Sequence, residues 1–196
     1  MQKDLAHNVV FCVPSGNFGN ITAGLIAKRM GLHVKRFIAA NNRNDIFLQY
    51  LKTGEYNPRP SVQTVANAMD VGDPSNFARI LDLYGKSHEA IVAEISGYSY
   101  TDEQIKKTLE DTYERTGYLL DPHGACGYQA LKDSLQPDET GVFLETAHPA
   151  KFIETVESVV DDRIAIPNKL KAFMTGKKQS VGISNDFNDF KILLLQ

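Results

Sequence analysis

Val9-Val10-Phe11-Cys12-Val13-Pro14-Ser15-Gly16-Asn17-Phe18-Gly19-Asn20 is the segment from which the architecture can be read. Its apolar residues are mostly β-branched or aromatic, too few for a helix, and they stop at Pro14, so they read as a buried strand. A helix is expected over 18–30, with its first turn in the loop. The free backbone N–H groups of that turn point past the strand end, and the helix dipole favours an anion there. Gly16 and Gly19 remove the Cβ atoms that would hold a phosphate off the backbone. The physical reading is a phosphate cradle. It is no Walker loop, because no Gly-Lys-Ser/Thr follows, and its Gly-x-x-Gly spacing is not the dinucleotide fingerprint. A strand-to-helix turn without a ligand has the same pattern, and the rest of the chain must separate the two.

Downstream, Gly31 closes the first helix as a C′ glycine, and residues 32–40 read as the next strand. Strand, helix and strand in succession imply a parallel crossover. Asn41-Asn42-Arg43-Asn44-Asp45 then falls at the carboxyl edge, where open α/β sheets bind ligands. A helix over 45–52 ends at Gly54, and the polar 55–65 segment with Pro58 and Pro60 reads as a loop. Ser75 is the expected N-cap of a helix carrying Phe77, Ile80, Leu81 and Tyr84, closed by Gly85, with a further helix over 87–95. Thr101 and Gln104 form a capping box for a helix through Ile105, Leu109 and Tyr113 that stops at Gly117. The helix after His123 carries Gly124, Ala125, Gly127 and Ala130, small residues suited to tight packing. Residues 140–145 read as a strand, and a helix through Phe152, Val156 and Val159 follows. Beyond Asp161 come Pro167, a short helix to Met174 and a tail ending in 191–195.

With 196 residues, 42% hydrophobic and 23% charged, the chain has the makeup of a soluble globular domain, and one domain is expected. Its net charge of -3 argues against nucleic acid as a partner. No apolar run suits a bilayer and no basic-then-apolar leader is present, so a cytoplasmic protein without a membrane partner is expected. Cys12 and Cys126 fit neither a disulfide framework nor zinc spacing, and no metal site is expected. Asn20-Ile21-Thr22 matches the glycosylation sequon, but it falls inside the loop and helix. Met1-Gln2-Lys3-Asp4 precedes a core strand almost at once. An α/β enzyme seldom opens on its ligand loop, so the chain reads as a fragment.

Four motifs in order, Ser15-Gly16-Asn17-Phe18-Gly19-Asn20, Asn67-Ala68-Met69-Asp70-Val71, Leu120-Asp121-Pro122-His123 and Thr146-Ala147-His148-Pro149-Ala150-Lys151-Phe152, resemble the carboxy-terminal half of the threonine synthase family. That resemblance implies part of a parallel-sheet, helix-flanked α/β fold of pyridoxal-phosphate fold type II, the tryptophan synthase β-like class. It implies pyridoxal 5'-phosphate as cofactor and conversion of O-phosphohomoserine and water to threonine and phosphate. Gly16, Asn17, Phe18, Gly19 and Asn20 resemble the cradle for the cofactor phosphate. Thr146 resembles the hydroxyl residue facing the pyridine nitrogen, a neutral partner that would not enforce a protonated ring. Its plainer reading is the N-cap of the helix near Ala150.

The resemblance places 67–71 and Arg79 near an active-site entrance; their plainer reading is a surface loop and a solvated helix face. His123 and His148 read as structural imidazoles, and Tyr98, Tyr100, Tyr113 and Tyr118 as packing residues. The family's Schiff-base lysine is expected upstream of the phosphate loop, in an amino-terminal half that would be this chain's partner. Neither Lys3 nor Lys151 has the surroundings for that role, so no catalytic residue is assigned within the chain. A non-catalytic domain binding pyridoxal phosphate or another phosphate compound is the alternative.

Overall fold

The computed structural model describes residues 8–160 and 162–195. The readings placed on 1–4, including Lys3, and on Asp161 lie outside them. By contact the chain forms a larger unit, Met1–Ile164, and a smaller one, Ala165–Gln196. The larger contains β1 (Val9–Pro14), α1 (Gly19–Arg29), β2 (Arg36–Asn41), α2 (Ile46–Thr53) and a 3-10 turn, Asn67–Met69. Next come α3 (Phe77–Leu83), α4 (His88–Glu94), β3 (Ile95–Ser99), α5 (Asp102–Thr116), α6 (Pro122–Ser134) and β4 (Thr140–Phe143). A second 3-10 turn, Pro149–Phe152, runs into α7 (Ile153–Glu157). The smaller unit holds α8 (Asn168–Met174) and α9 (Phe187–Leu194), which takes up most of the expected tail.

The strands pair in parallel in the order β3-β2-β1-β4, the expected parallel α/β sheet. The two-residue period of the strands sorts their side chains into two cores. Val10 and Cys12 of β1 and Ile38 and Ala40 of β2 pack with Ile105 and Leu109 of α5 and Ala125, Cys126 and Ala130 of α6. Val13, Phe37 and Ala39 face the other way, onto Ile21, Leu25, Phe47, Phe77 and Ile80. The capping box forms as expected: Thr101 Oγ1 accepts from Gln104 N–H and Gln104 Oε1 from Thr101 N–H.

Several expectations are corrected. β2 starts at Arg36, four residues later than expected, because residues 31–34 finish α1: Gly31 turns at φ 105° and Leu32 N–H reaches back to Ala27 O. β3 escapes sequence reading altogether. Ile95-Ser96-Gly97-Tyr98-Ser99 has no apolar run and follows α4 without a break; its ladder with β2 makes it a strand. Asn76, not Ser75, stands at the start of α3. The single helix expected through Val159 is a 3-10 turn followed by the short α7.

The amino end of β2 is tied to the α6–β4 connection by charge. Arg36 Nε and Nη2 donate to the two carboxylate oxygens of Glu139 at 3.0 and 2.7 Å, and Nη2 also donates to Ser134 O at 2.9 Å. Hydrogen bonds from Arg36 hold the Glu139 carboxyl down at about 2, below its ordinary 4.5. A depressed carboxyl contributes stability that is present above the ordinary pKa and lost as pH falls toward the folded one. Glu139→Gln is therefore expected to destabilise the chain by about 1–3 kcal/mol at neutral pH. Denaturant melts should show that difference closing between pH 4.5 and about 2.

Candidate cofactor site

Parallel strands put their carboxyl ends on one edge. The chain adds β2 and then β3 to one side of β1, and returns to the other side for β4. Strand order therefore reverses between β1 and β4, and open α/β sheets bind ligands in the crevice at such a reversal. Cys12 is paired with Phe143, and Leu144 N–H donates to Cys12 O at 3.1 Å. Residues 15–20 and 145–148 thus leave the sheet from neighbouring strands at the same level.

The loop is anchored at its start and by its aromatic residue. Ser15 N–H extends the ladder to Ala40 O at 2.8 Å, and Asn41 Nδ2 donates to Ser15 O at 2.7 Å. Phe18 sits at φ 62°, in the left-handed region, with its ring buried 4.6 Å from that of Phe47. Its side chain holds the loop, so only its backbone faces outward. Among the described residues, the N–H groups of residues 16–20 donate to no protein acceptor. The hydroxyl of Thr22, in the first turn of α1, and Asn41 Oδ1 are buried without partners among those residues.

The two glycines differ. A Cβ at Gly16 would lie 2.6 Å from Met69 Cα and 2.9 Å from Ala68 O, whereas one at Gly19 meets only Asn76 Nδ2, at 3.8 Å. Gly16 lets the 3-10 turn approach, and Gly19 keeps an open space over the start of α1. Unpartnered N–H groups, an open Gly19 and orphaned polar atoms fit a phosphate held by backbone.

Asn17 is committed to bracing. Its Oδ1 accepts from Ser75 N–H at 2.7 Å and Ser75 Oγ at 3.1 Å, and its backbone oxygen accepts from Asn76 Nδ2 at 2.8 Å. Ser75 is thus a loop clamp. Thr146 is exposed just beyond β4, and the N-cap it might have formed belongs to His148, whose Nδ1 accepts from Ala150 N–H. Arg79 lies on an exposed face beside Asn76. Asp70 draws the 62–70 segment inward, accepting from Asn42 Nδ2, Asn44 Nδ2 and both Thr64 donors. Asn67 and Lys151 line a cavity of about 600 Å³ with Thr64, Asp102 and Phe152.

His123 is a structural imidazole, as expected. Its Nε2 accepts from Ala68 N–H at 3.2 Å, which leaves the proton on Nδ1 for Asp121 Oδ1 at 2.6 Å. Asp121 caps α6 through the same oxygen, which accepts from His123 N–H. Beside it lies the Glu145 carboxyl, which sequence reading passed over as the end of a strand. A carboxylate at the end of an apolar strand was the one available signal, and its nearness to Asp121 comes only from the fold. Among the described residues no group of His, Cys, Asp and Glu is arranged to hold a metal, and no helix is long and apolar enough to cross a membrane.

Comparison with known proteins agrees with this geometry. Residues 2–146 match the family model described as pyridoxal-phosphate dependent enzyme, and 124–193 match threonine synthase, C-terminal. Threonine synthase of Haemophilus influenzae is 43% identical over 196 residues, all of this chain but 46% of that protein. The crystal structure of Escherichia coli threonine synthase superposes with a TM-score of 0.87 at 38% identity, covering 100% of this chain and 45% of that one. The pyridoxal-phosphate-bound threonine synthase of Brucella melitensis gives 0.82 at 32% identity, covering 95% and 45%. The chain thus spans about half the length of the relatives it matches. With pyridoxal phosphate as the group its strand-end crevice fits, the chain belongs to the pyridoxal-phosphate dependent enzyme family, and along its length it is similar to the carboxy-terminal part of threonine synthases.

Proposed function

We propose that residues 1–196 are the carboxy-terminal part of a cytoplasmic threonine synthase, converting O-phospho-L-homoserine and water to L-threonine and phosphate. The observation that supports the reading is the strand reversal between β1 and β4, with the unpartnered N–H groups of 16–20 following one strand and Thr146 the other. When bound, pyridoxal phosphate supplies an electron sink for charge developing on the substrate. Gly16, Asn17, Phe18, Gly19 and Asn20 would hold its phosphate through backbone N–H groups, helped by the α1 dipole. The Asn17–Ser75 clamp and the buried Phe18 ring keep those donors in place. Thr146 would offer the ring nitrogen a neutral hydroxyl, a partner that does not enforce a protonated ring. The lysine that would anchor the cofactor and act as base toward the substrate would come from the amino-terminal part.

Complementation tests this. Mixed with the part of the H. influenzae enzyme that this chain does not match, the chain should restore phosphate release from O-phosphohomoserine. Binding of pyridoxal phosphate without turnover in any such mixture would favour a non-catalytic domain. Thr146→Ala should weaken cofactor binding in the active mixture by roughly 0.5–1.5 kcal/mol, one net hydrogen bond, with an unchanged melting midpoint of the cofactor-free protein. A loss of folding would assign Thr146 a structural role instead.

A further inference from the structure

Three carboxyl oxygens are buried together at the amino end of α6 without a well-formed hydrogen bond among the described residues, Asp121 Oδ2 and both oxygens of Glu145, the Asp121 N–H being the backbone donor on the Glu145 side. Two ionised carboxylates packed this way repel each other and lack the cation that would compensate them. One proton resolves most of the conflict, because a protonated carboxyl is a donor. Asp121 is the poorer place for it. Its Oδ1 already accepts from His123 N–H at 2.8 Å and His123 Nδ1 at 2.6 Å, which favours its charged form.

The position of Glu145 is set by a missing side chain. A Cβ at Gly124 would stand 2.1 Å from Glu145 Oε1 and 2.4 Å from Oε2. Only glycine leaves room there for the carboxyl. The titratable groups facing the pair are Tyr118, between α5 and α6, and His123 and Cys126 of α6. None is placed as a cation: His123 Nε2 accepts from Ala68 N–H, so the ring is neutral.

We propose that Glu145 is a neutral acid that donates its proton to Asp121 Oδ2 and is a positioning residue for the cofactor site. Asp121 passes the constraint to His123, and His123 holds Ala68 N–H, hence the 3-10 turn packed on Gly16. One side-chain chain therefore joins the residue before Thr146 to the phosphate loop, the two ends of the site. Burial and then the Asp121 carboxylate push the Glu145 carboxyl up to about 9, in keeping with this assignment. Burial raises the Asp121 carboxyl too, but its hydrogen bonds with His123 and Glu145 bring it below the usual range. The role as a cofactor-site residue rests on the function proposed above; the proton does not.

The test uses the full 196-residue chain. Infrared spectra at pH 7.5 should contain a protonated-carboxyl carbonyl stretch that Glu145→Gln removes, an observation on the unaltered chain. A carboxyl protonated only in the folded state adds stability that is complete below its ordinary 4.5 and lost as pH rises to about 9. The thermal midpoint should fall across that window in the unaltered chain and stay level in Glu145→Gln, whose amide donates without titrating. Hydrogen exchange at Ala68 N–H at pH 7.5 should accelerate at least tenfold in Glu145→Ala and in Gly124→Ala, which displaces the carboxyl, and not in Glu145→Gln. No carbonyl band, parallel pH profiles, or equal exchange in all variants would overturn the proposal. Pyridoxal phosphate titration separates the two readings: no binding with the band and exchange pattern intact overturns the cofactor-site role and leaves the carboxyl pair standing.

Discussion

Valine at position 19 should leave the chain folded and weaken phosphate binding by roughly 10- to 150-fold, whereas valine at position 16 should cost the fold itself. From sequence the two glycines look equivalent, both clearing a path for a phosphate. In the structure Gly16 is pressed against the backbone of Met69 and Ala68, at 2.6 and 2.9 Å from a prospective Cβ. Backbone held by Asp70 and His123 cannot step aside, so overpacking there should destabilise by about 3 kcal/mol. Gly19 has no positive φ and nothing closer than 3.8 Å to a prospective Cβ, so a side chain fits the protein. The space that it fills is the approach to the N–H groups of residues 16–20. Losing one charge-assisted hydrogen bond costs about 1.5–3 kcal/mol, or roughly 10- to 150-fold in affinity. Calorimetric titration with inorganic phosphate and pyridoxal phosphate, beside thermal melts, reads both outcomes. Unchanged affinity in Gly19→Val would refute the cradle.

Without an amino-terminal part, the chain should release no phosphate from O-phosphohomoserine, even saturated with pyridoxal phosphate. The described strand ends hold no lysine: residues 8–20, 41–45, 99–101 and 145–148 contain none. Lys28 and Lys35 pair with Glu94 and with Asp138 and Glu139, and Lys151 lies over the ring of Phe152. A positioned acid–base group typically supplies ~10²–10⁴-fold in rate, and its loss would take turnover below detection. Among the described residues β3 and β4 are the sheet edges, and Val142 on β4 is exposed, so the chain alone should self-associate. Phosphate release, borohydride trapping with pyridoxal phosphate, and sedimentation measure these three expectations. Turnover at the level of the complemented mixture, or a pyridoxyl group fixed on one particular lysine, would show that the chain carries its own base.

Much of the fold was legible because its signals are local. Val9 to Pro14 is a strand by composition, Gly31 and Gly117 stop helices by their positive φ, and Thr101 and Gln104 cap each other within one turn. The loop over 15–20 was legible for the same reason: a glycine-containing turn between a strand and a helix exposes the same N–H groups wherever it occurs. Thr146 came from a motif's resemblance and not from any physical pattern of its own.

What the amino-acid order determined by itself was this set of short-range features, since each depends on residues no more than a few positions apart. The tertiary structure alone decided the rest. Ile95–Ser99 became a strand because β2 offered an unpaired edge, and Ser75 became a clamp because Asn17, 58 residues earlier, was brought against it. Gly16 was separated from Gly19 by the turn at Met69, and Glu145 from an ordinary strand-end carboxylate by Asp121 and the bare Cα of Gly124. These assignments depend on which distant groups share a buried volume. Burial makes an unpaired carboxyl or backbone amide expensive, so partners chosen by packing, not by neighbourhood in the chain, set the chemistry of the site.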